Sequence, residues 1–309
     1  MTETDRIAII GSGHVGATSA FALTQSGVAR EIVLVDEQPE RAEGEAMDIG
    51  HAVPLMTPVL VRSGDYADAA GATIVVVAAG AAGRPGESRL DLLGRNVVVV
   101  RSIMERLMQA GFDGVLLMTT NPVDVLAQVA QEVSMLPVPR VIGSGTVLDT
   151  ARLRAVLAEA LTIDARSIHA HVIGEHGDSE LAAWSCARVA GVPLADFCRG
   201  RDVPRFDEML DSVRRAAPEI IERKGYTSYA IATCVAKICE AIMRDEHTVL
   251  PVSTLLAGQY GIDGVYLSLP CVVGRGGVER VMELPLDEAE ITALRASADV
   301  LRRTKAQCA

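Results

Sequence analysis

Through the first 143 residues, short apolar runs take turns with stretches whose apolar positions follow helical spacing. The runs at 6–10, 31–35, 73–78, 115–118 and 141–143 are rich in Ile, Val and Leu with little polar alternation, which predicts strands buried on both faces. Residues 14–25, 39–51 and 91–108 carry the helical pattern between them. Strand, helix, strand in this order predicts a parallel, doubly wound sheet with right-handed crossovers. After about Ser144 the pattern changes. Helical spacing covers 147–160, 206–224, 228–244 and 286–306, with hairpin-like segments between, and 249–252 and 264–269 read as antiparallel, half-exposed strands. The expectation is α/β over residues 1–143, followed by an α+β domain over 144–309.

The first strand runs into Gly11-Ser12-Gly13-His14-Val15-Gly16, which opens the first helix. Glycines at this spacing permit a tight turn and let backbone N–H groups approach a pyrophosphate at a helix N-terminus. Asp36 ends the second strand, where its carboxylate would accept hydrogen bonds from ribose hydroxyls and repel the 2′-phosphate of NADP. Gly11, Gly13, Val15, Gly16 and Asp36 are therefore the candidate cofactor residues of a Rossmann-type domain that favours NAD. A glycine fingerprint alone also occurs in flavin enzymes and methyltransferases. The short-chain dehydrogenases need a Tyr-x-x-x-Lys pair, and none of the five tyrosines has a lysine four residues on.

Charge narrows the partners. The formal net charge of -11 argues against nucleic acid and anionic membranes, so a small anion would bind only at a local cluster of arginines. The polar, acidic start is unlike a secretory leader, and the six scattered cysteines suit small buried hydrophobes in a reducing cytosol.

The candidate chemistry centres on Ile173-Gly174-Glu175-His176-Gly177-Asp178-Ser179. Reduction of a 2-oxo acid needs a proton donor for the carbonyl, an anchor for the carboxylate and a cation near the developing oxyanion. His176 suits the first role, because an imidazole exchanges protons in both directions near neutral pH. Asp149 would orient it and favour the imidazolium; capping a helix is its other reading. Arg152 lies three residues on and shares that helix face, offering a bidentate fork for a carboxylate or else a surface ion pair. Arg89 follows a loop of small residues at 80–88 that would close over a ligand, and there it would polarise the carbonyl. Asn121, at another strand end before Pro122, would hydrogen-bond the carbonyl oxygen.

In these features the chain resembles the L-lactate and malate dehydrogenase family over essentially its whole length, and its lactate branch more closely. The glycine loop, Asp36, Gly86-Glu87-Ser88-Arg89-Leu90-Asp91-Leu92, Asn121-Pro122-Val123-Asp124, residues 143–152, residues 174–180 and Lys224-Gly225-Tyr226-Thr227 match in order. The resemblance implies a cytosolic, NAD-dependent L-2-hydroxy acid dehydrogenase, most readily one that interconverts pyruvate and L-lactate. It makes His176 the proton donor and acceptor, Asp149 its partner, Arg152 the carboxylate anchor and Arg89 the polarising group. Asn121 assists, Thr227 lines the pocket and Ile231 packs near the nicotinamide. The chain begins at the first strand, without the N-terminal arm of vertebrate relatives, which implies a bacterial-type enzyme and a homotetramer built as a dimer of dimers.

Two positions depart from or extend the pattern. Gly83 stands where the lactate branch has glutamine and the malate branch arginine. The missing side chain implies a roomier pocket, and one methylene of fit is worth about 1–3 kcal/mol, enough to change preference among 2-oxo acids. Arg84 is either solvated or, with a small loop shift, within reach of a dianionic substrate such as oxaloacetate, which keeps a malate-type or bulky 2-hydroxy acid reading open. Arg154 and His169 match positions where bacterial relatives bind fructose 1,6-bisphosphate; two exposed polar residues are the alternative. A strand through 169–171 would set His169 and His171 on one face, but the resemblance assigns these residues elsewhere and no metal is expected. A non-catalytic NAD-binding protein is the remaining alternative, though the catalytic groups are all present.

Overall fold

The computed structural model describes residues 5–81, 89–201 and 203–307, with the side chains of Arg89 and Leu90 left aside. The first half alternates as its pattern predicts: β1 (Arg6–Ile10), α1 (His14–Ser26), β2 (Glu31–Val35), α2 (Pro39–Ala52), β3 (Leu60–Ser63), α3 (Tyr66–Ala70), β4 (Ile74–Val77), α4 (Arg89–Gln109), β5 (Val115–Met118), α5 (Val123–Ser134) and β6 (Val141–Gly143). The strands pair in parallel in the order β3-β2-β1-β4-β5-β6, a doubly wound sheet. Ile7, Ile9, Ile32, Leu34, Ile74 and Val76 pack on one face, while Ala8, Ile10, Val33, Val35, Val75 and Val77 pack on the other. Successive residues of a strand point to opposite faces, so burial on both sides requires runs without alternation.

The second half contains α6 (Val147–Leu161), short strands β7 (Ile168–His169), β8 (Val172–Ile173), β9 (Leu181–Ala182), β10 (Arg188–Val189) and β11 (Val192–Pro193), then α7 (Leu194–Phe197), α8 (Phe206–Lys224) and α9 (Tyr229–Met243). A three-stranded antiparallel ladder, β12 (Thr248–Ala257), β13 (Asp263–Gly274) and β14 (Gly277–Val281), precedes α10 (Glu288–Ala306).

The structure corrects three expectations. The segments at 249–252 and 264–269 belong to much longer strands and are largely buried, not half exposed. Ser253 of β12 pairs with Gly143 of β6, so the ladder extends the parallel sheet to nine strands, and α5, α9 and α10 pack against it. Polar Ser253, Thr254 and Ser268 interrupt the apolar spacing of the ladder, yet all three are buried. Residues 169–171 do not form one strand: β7 pairs with β10, whereas β8 pairs with β9. Finally, β3, α3 and α5 lie outside the expected elements; the first two are short, whereas α5 carries a polar stripe of Asp124, Gln128, Gln131 and Glu132 at helical spacing although most of its length is buried.

Among the described residues no helix is long and apolar enough to cross a membrane.

Candidate active site

The β1–α1 turn is built around two tight approaches. Gly11 has φ +100°, and a Cβ there would lie 2.5 Å from the Ala79 backbone nitrogen. A Cβ at Gly16 would lie 1.8 Å from the Gly11 carbonyl oxygen. Gly13, at the N-cap of α1, differs: a Cβ would meet nothing nearer than an Arg41 guanidinium nitrogen at 3.9 Å. The protein's own packing thus does not require glycine there, whereas a ligand approaching the helix N-terminus would. Asp36 accepts from the Ser12 amide (2.6 Å) and the Gln38 amide (3.0 Å), which fixes its carboxylate at the rim of the turn. Ser12 Oγ is buried without a hydrogen-bond partner. An open helix N-terminus, an orphaned hydroxyl and a fixed carboxylate fit a dinucleotide bound along this edge.

A cavity of about 770 Å³ gathers the other groups, with Asn121, Asp149, Arg152, His176, Glu180 and Arg214 among its lining. The loop bearing His176 is held from three directions. Its backbone N–H donates to Asp124 Oδ2 of α5 (2.9 Å), the Glu175 amide donates to Ser297 Oγ of α10 (2.8 Å), and Gly174 pairs with Ser268 of β13. Asn96 ties the neighbouring strand ends together: its Oδ1 accepts from the Ala81 amide and its Nδ2 donates to the Asn121 carbonyl. The Asn121–Pro122 peptide is cis.

Asp149 lies at the centre. It is buried in the first turn of α6, with Oδ2 2.6 Å from His176 Nδ1 and Oδ1 accepting from Arg152 Nη1 at 2.9 Å. It makes no cap bond, and Arg152 is largely buried, so neither the capping nor the surface-pair reading holds. Burial opposes charge on His176, but the field of Asp149 and the hydrogen bond to it prevail and lift the imidazole to about 9. Burial opposes ionisation of Asp149 too, yet His176 and Arg152 hold its carboxyl below the ordinary range.

Three further polar groups belong to the site and were not singled out from sequence. Burial pushes Asp124 up to about 6, against the pull of its hydrogen bonds. Burial, and then the charge of Asp149, raises Glu180 to about 8, and Glu180 Oε1 has no partner. Arg214 of α8 donates to the Glu180 carbonyl, while its Nε is buried and unpartnered. Asp124 and Glu180 stand inside the matched motifs, so an acid beside an apolar run was the available signal.

Thr227 is half-buried in the α8–α9 connector, and Ile231 of α9 packs on the core beneath the glycine-loop face of the sheet. Val15 follows His14 in the first turn of α1. Gly83 and Arg84 lie outside the described residues, as does the side chain of Arg89. Away from this cavity, Arg154 is partly buried with Nε donating to the Ala170 carbonyl, and His169 is exposed. Both lie near enough to His171 to help burial depress its imidazole to about 4.

Two family models cover this chain: the lactate/malate dehydrogenase NAD binding domain over residues 5–143 and the lactate/malate dehydrogenase alpha/beta C-terminal domain over residues 146–309. The chain belongs to the lactate/malate dehydrogenase family. Among the relatives of this dehydrogenase, an L-lactate dehydrogenase of Thermoanaerobacter pseudethanolicus is 49% identical over 302 residues, 96% of this chain and 97% of the relative. One from Nitratidesulfovibrio vulgaris is 50% identical over 301 residues, with the same coverage. A solved lactate dehydrogenase from a Medee basin deep-sea metagenome library superposes with a TM-score of 0.96 at 40% identity, covering 99% of each chain. The dehydrogenase is thus an NAD-dependent oxidoreductase with a dinucleotide-binding first half.

Proposed function

We propose that the chain is an L-lactate dehydrogenase that reduces pyruvate, with NADH and a proton, to L-lactate and NAD. One observation carries the reading: in the cavity, a single buried carboxylate, Asp149, holds both an imidazole and a guanidinium. Gly11, Gly13, Val15, Gly16 and Asp36 hold the cofactor, with Asn121 and Ile231 toward its nicotinamide end. The bound cofactor supplies the hydride. Arg152 spends one nitrogen on Asp149 and offers remaining N–H donors to the substrate carboxylate. His176, charged at neutral pH because of Asp149, gives its proton to the carbonyl oxygen as the alcohol forms. Asn121 and Thr227 line the substrate, and Arg89 polarises the carbonyl. The reverse reaction needs the imidazole neutral, so the free protein is set for reduction.

We assign residues 1–143 to cofactor binding and 144–309 to catalysis, in a cytosolic homotetramer. Gly83 widens the pocket toward larger 2-oxo acids, with Arg84 beside it. Arg154 and His169, beside His171, form the effector site for fructose 1,6-bisphosphate. Steady-state kcat/KM on pyruvate, 2-oxobutyrate, 2-oxoisocaproate, phenylpyruvate and oxaloacetate, with and without that bisphosphate, tests these readings. Pyruvate is expected to be a good substrate, with the larger monocarboxylates within about ten-fold of it. No NADH oxidation with any of them would overturn the function. Pyruvate ahead by orders of magnitude would remove only the wider pocket, and oxaloacetate ahead would favour the malate-type reading.

A further inference from the structure

The imidazole of His14 lies flat on the ring of Tyr226, with centroids 3.8 Å apart and planes 7° from parallel. Lys224 Nζ stands 4.4 Å from the centroid of Tyr226 and 4.1 Å from that of Tyr229. The stacked rings come from elements more than two hundred residues apart in sequence. His14 is the first residue of α1, directly after the open Gly13. Tyr226 lies in the short connector between Gly225, the C-cap of α8, and Ser228, the N-cap of α9, immediately before Thr227.

His14 is exposed and Tyr226 half-buried, so the pair does not fill the core. It joins two functional edges instead. One ring rides on the turn where dinucleotide phosphates meet the helix N-terminus. The other belongs to the residue directly before Thr227, which the proposed function sets at the substrate end. A flat ring pair restricts both segments before any ligand arrives, and ordering done in advance is not charged against binding.

We propose that His14 and Tyr226 form a clasp across the cleft: they are positioning residues that hold the glycine loop and the α8–α9 connector in register for the dinucleotide and, through Thr227, for the substrate. The proposal rests on the reading of the glycine loop as the NAD site. It is the ring stack, not the charge of the imidazole, that does the holding.

Calorimetric titration of NADH into the intact protein tests the clasp, using wild type, His14→Ala, Tyr226→Ala, the double variant and His14→Phe, with thermal scans to establish folding. An aromatic pair is worth about two- to ten-fold in an equilibrium constant, which bounds how far its loss can depopulate the preordered arrangement and so weaken binding. Each alanine variant should bind NADH weaker by that factor, and the double variant should be no weaker than the worse single, because one interaction is lost in all three. His14→Phe keeps a flat ring and should recover most of the affinity. In Tyr226→Ala the KM for pyruvate at saturating NADH should rise while kcat stays within about two-fold. Wild-type affinity in the single variants, multiplying losses in the double, or a His14→Phe as weak as His14→Ala would each overturn the clasp. A wild-type protein that does not bind NADH would remove the cofactor reading itself, a failure distinct from these.

Discussion

At the residue scale, most of the chemistry is concentrated on Asp149. Its two oxygens serve His176 and Arg152 at once, so one carboxylate sets both the proton donor and the anion anchor. The field of Asp149 overcomes the burial of His176 and holds the imidazole at about 9. For pyruvate reduction the protonated form is the competent one, so kcat/KM should stay level through neutral pH and fall as pH rises through about 9. Asp149→Asn keeps an oxygen near Nδ1 but removes the charge. Its alkaline limb should move down toward the ordinary histidine value of about 6.5, and kcat should drop at least roughly a hundred-fold as imidazolium support is lost. A pH–rate profile of both proteins checks this, and an unmoved limb would place the proton donor elsewhere. His176 was legible because a histidine between glycines is an unusual local pattern, whereas Asp149–Arg152 repeats the spacing of Asp196–Arg199, Asp211–Arg214 and Asp299–Arg302 and stood out only through the family resemblance. Arg214 was not legible. Its importance comes from α8 packing across the His176 loop, a contact spanning 34 residues that no local pattern encodes.

At the scale of elements, the glycine loop separates what the fold needs from what a ligand needs. Gly16 sits against a backbone carbonyl that cannot withdraw without opening the β1–α1 turn, whereas Gly13 faces space. Gly16→Ala should therefore destabilise the apoprotein by at least about 2 kcal/mol through overpacking. Gly13, with φ -72°, accepts a Cβ, so Gly13→Ala should give up only glycine's N-cap advantage over alanine, about 1 kcal/mol or less, while binding NADH at least about ten-fold more weakly. Chemical denaturation of the apoproteins beside NADH titration reads both; a Gly13→Ala as destabilised as Gly16→Ala would mean that the turn, rather than a ligand, requires the glycine. The same scale shows where sequence reading stopped. β1, β2 and α8 were read to within a residue, because an unbroken β-branched run marks a strand buried on both faces and a strongly amphipathic helix has a clear period. The β12–β13 pair was recognised as antiparallel but misjudged in extent and exposure. Its membership of the main sheet depends on one bridge between Ser253 and Gly143, a long-range pairing without a local signature.

At the scale of the molecule, the candidate site draws groups from α5, α6, α8, α10 and the His176 loop into the junction between the two halves, so its electrostatics bear on global stability. Asp124, Glu180 and His176 all titrate above their ordinary values, at about 6, 8 and 9. Each contributes stability that is complete below its unfolded value and is lost as pH rises through the raised one. The two acids lose stability because they must ionise in a buried setting; the histidine loses it because its ion pair is discharged. Asp149, held low by His176 and Arg152, acts in the opposite sense, and its contribution disappears only as pH falls through and below the ordinary carboxylate range. The three raised groups share one window, roughly pH 4 to 9, and in a chain of net charge -11 further deprotonation adds repulsion. The apoprotein should therefore melt highest at mildly acidic pH and lose on the order of a few kcal/mol on the way to about pH 9.5. Glu180→Gln removes the buried ionisation while preserving size. It should melt close to wild type at about pH 5.5 and above wild type at about pH 9.5, flattening the profile. Thermal scans across that range at constant ionic strength decide the matter: a wild-type melting temperature that climbs from about pH 6 to 9, or a Glu180→Gln profile parallel to wild type, would show that these carboxyls are not held neutral by their burial.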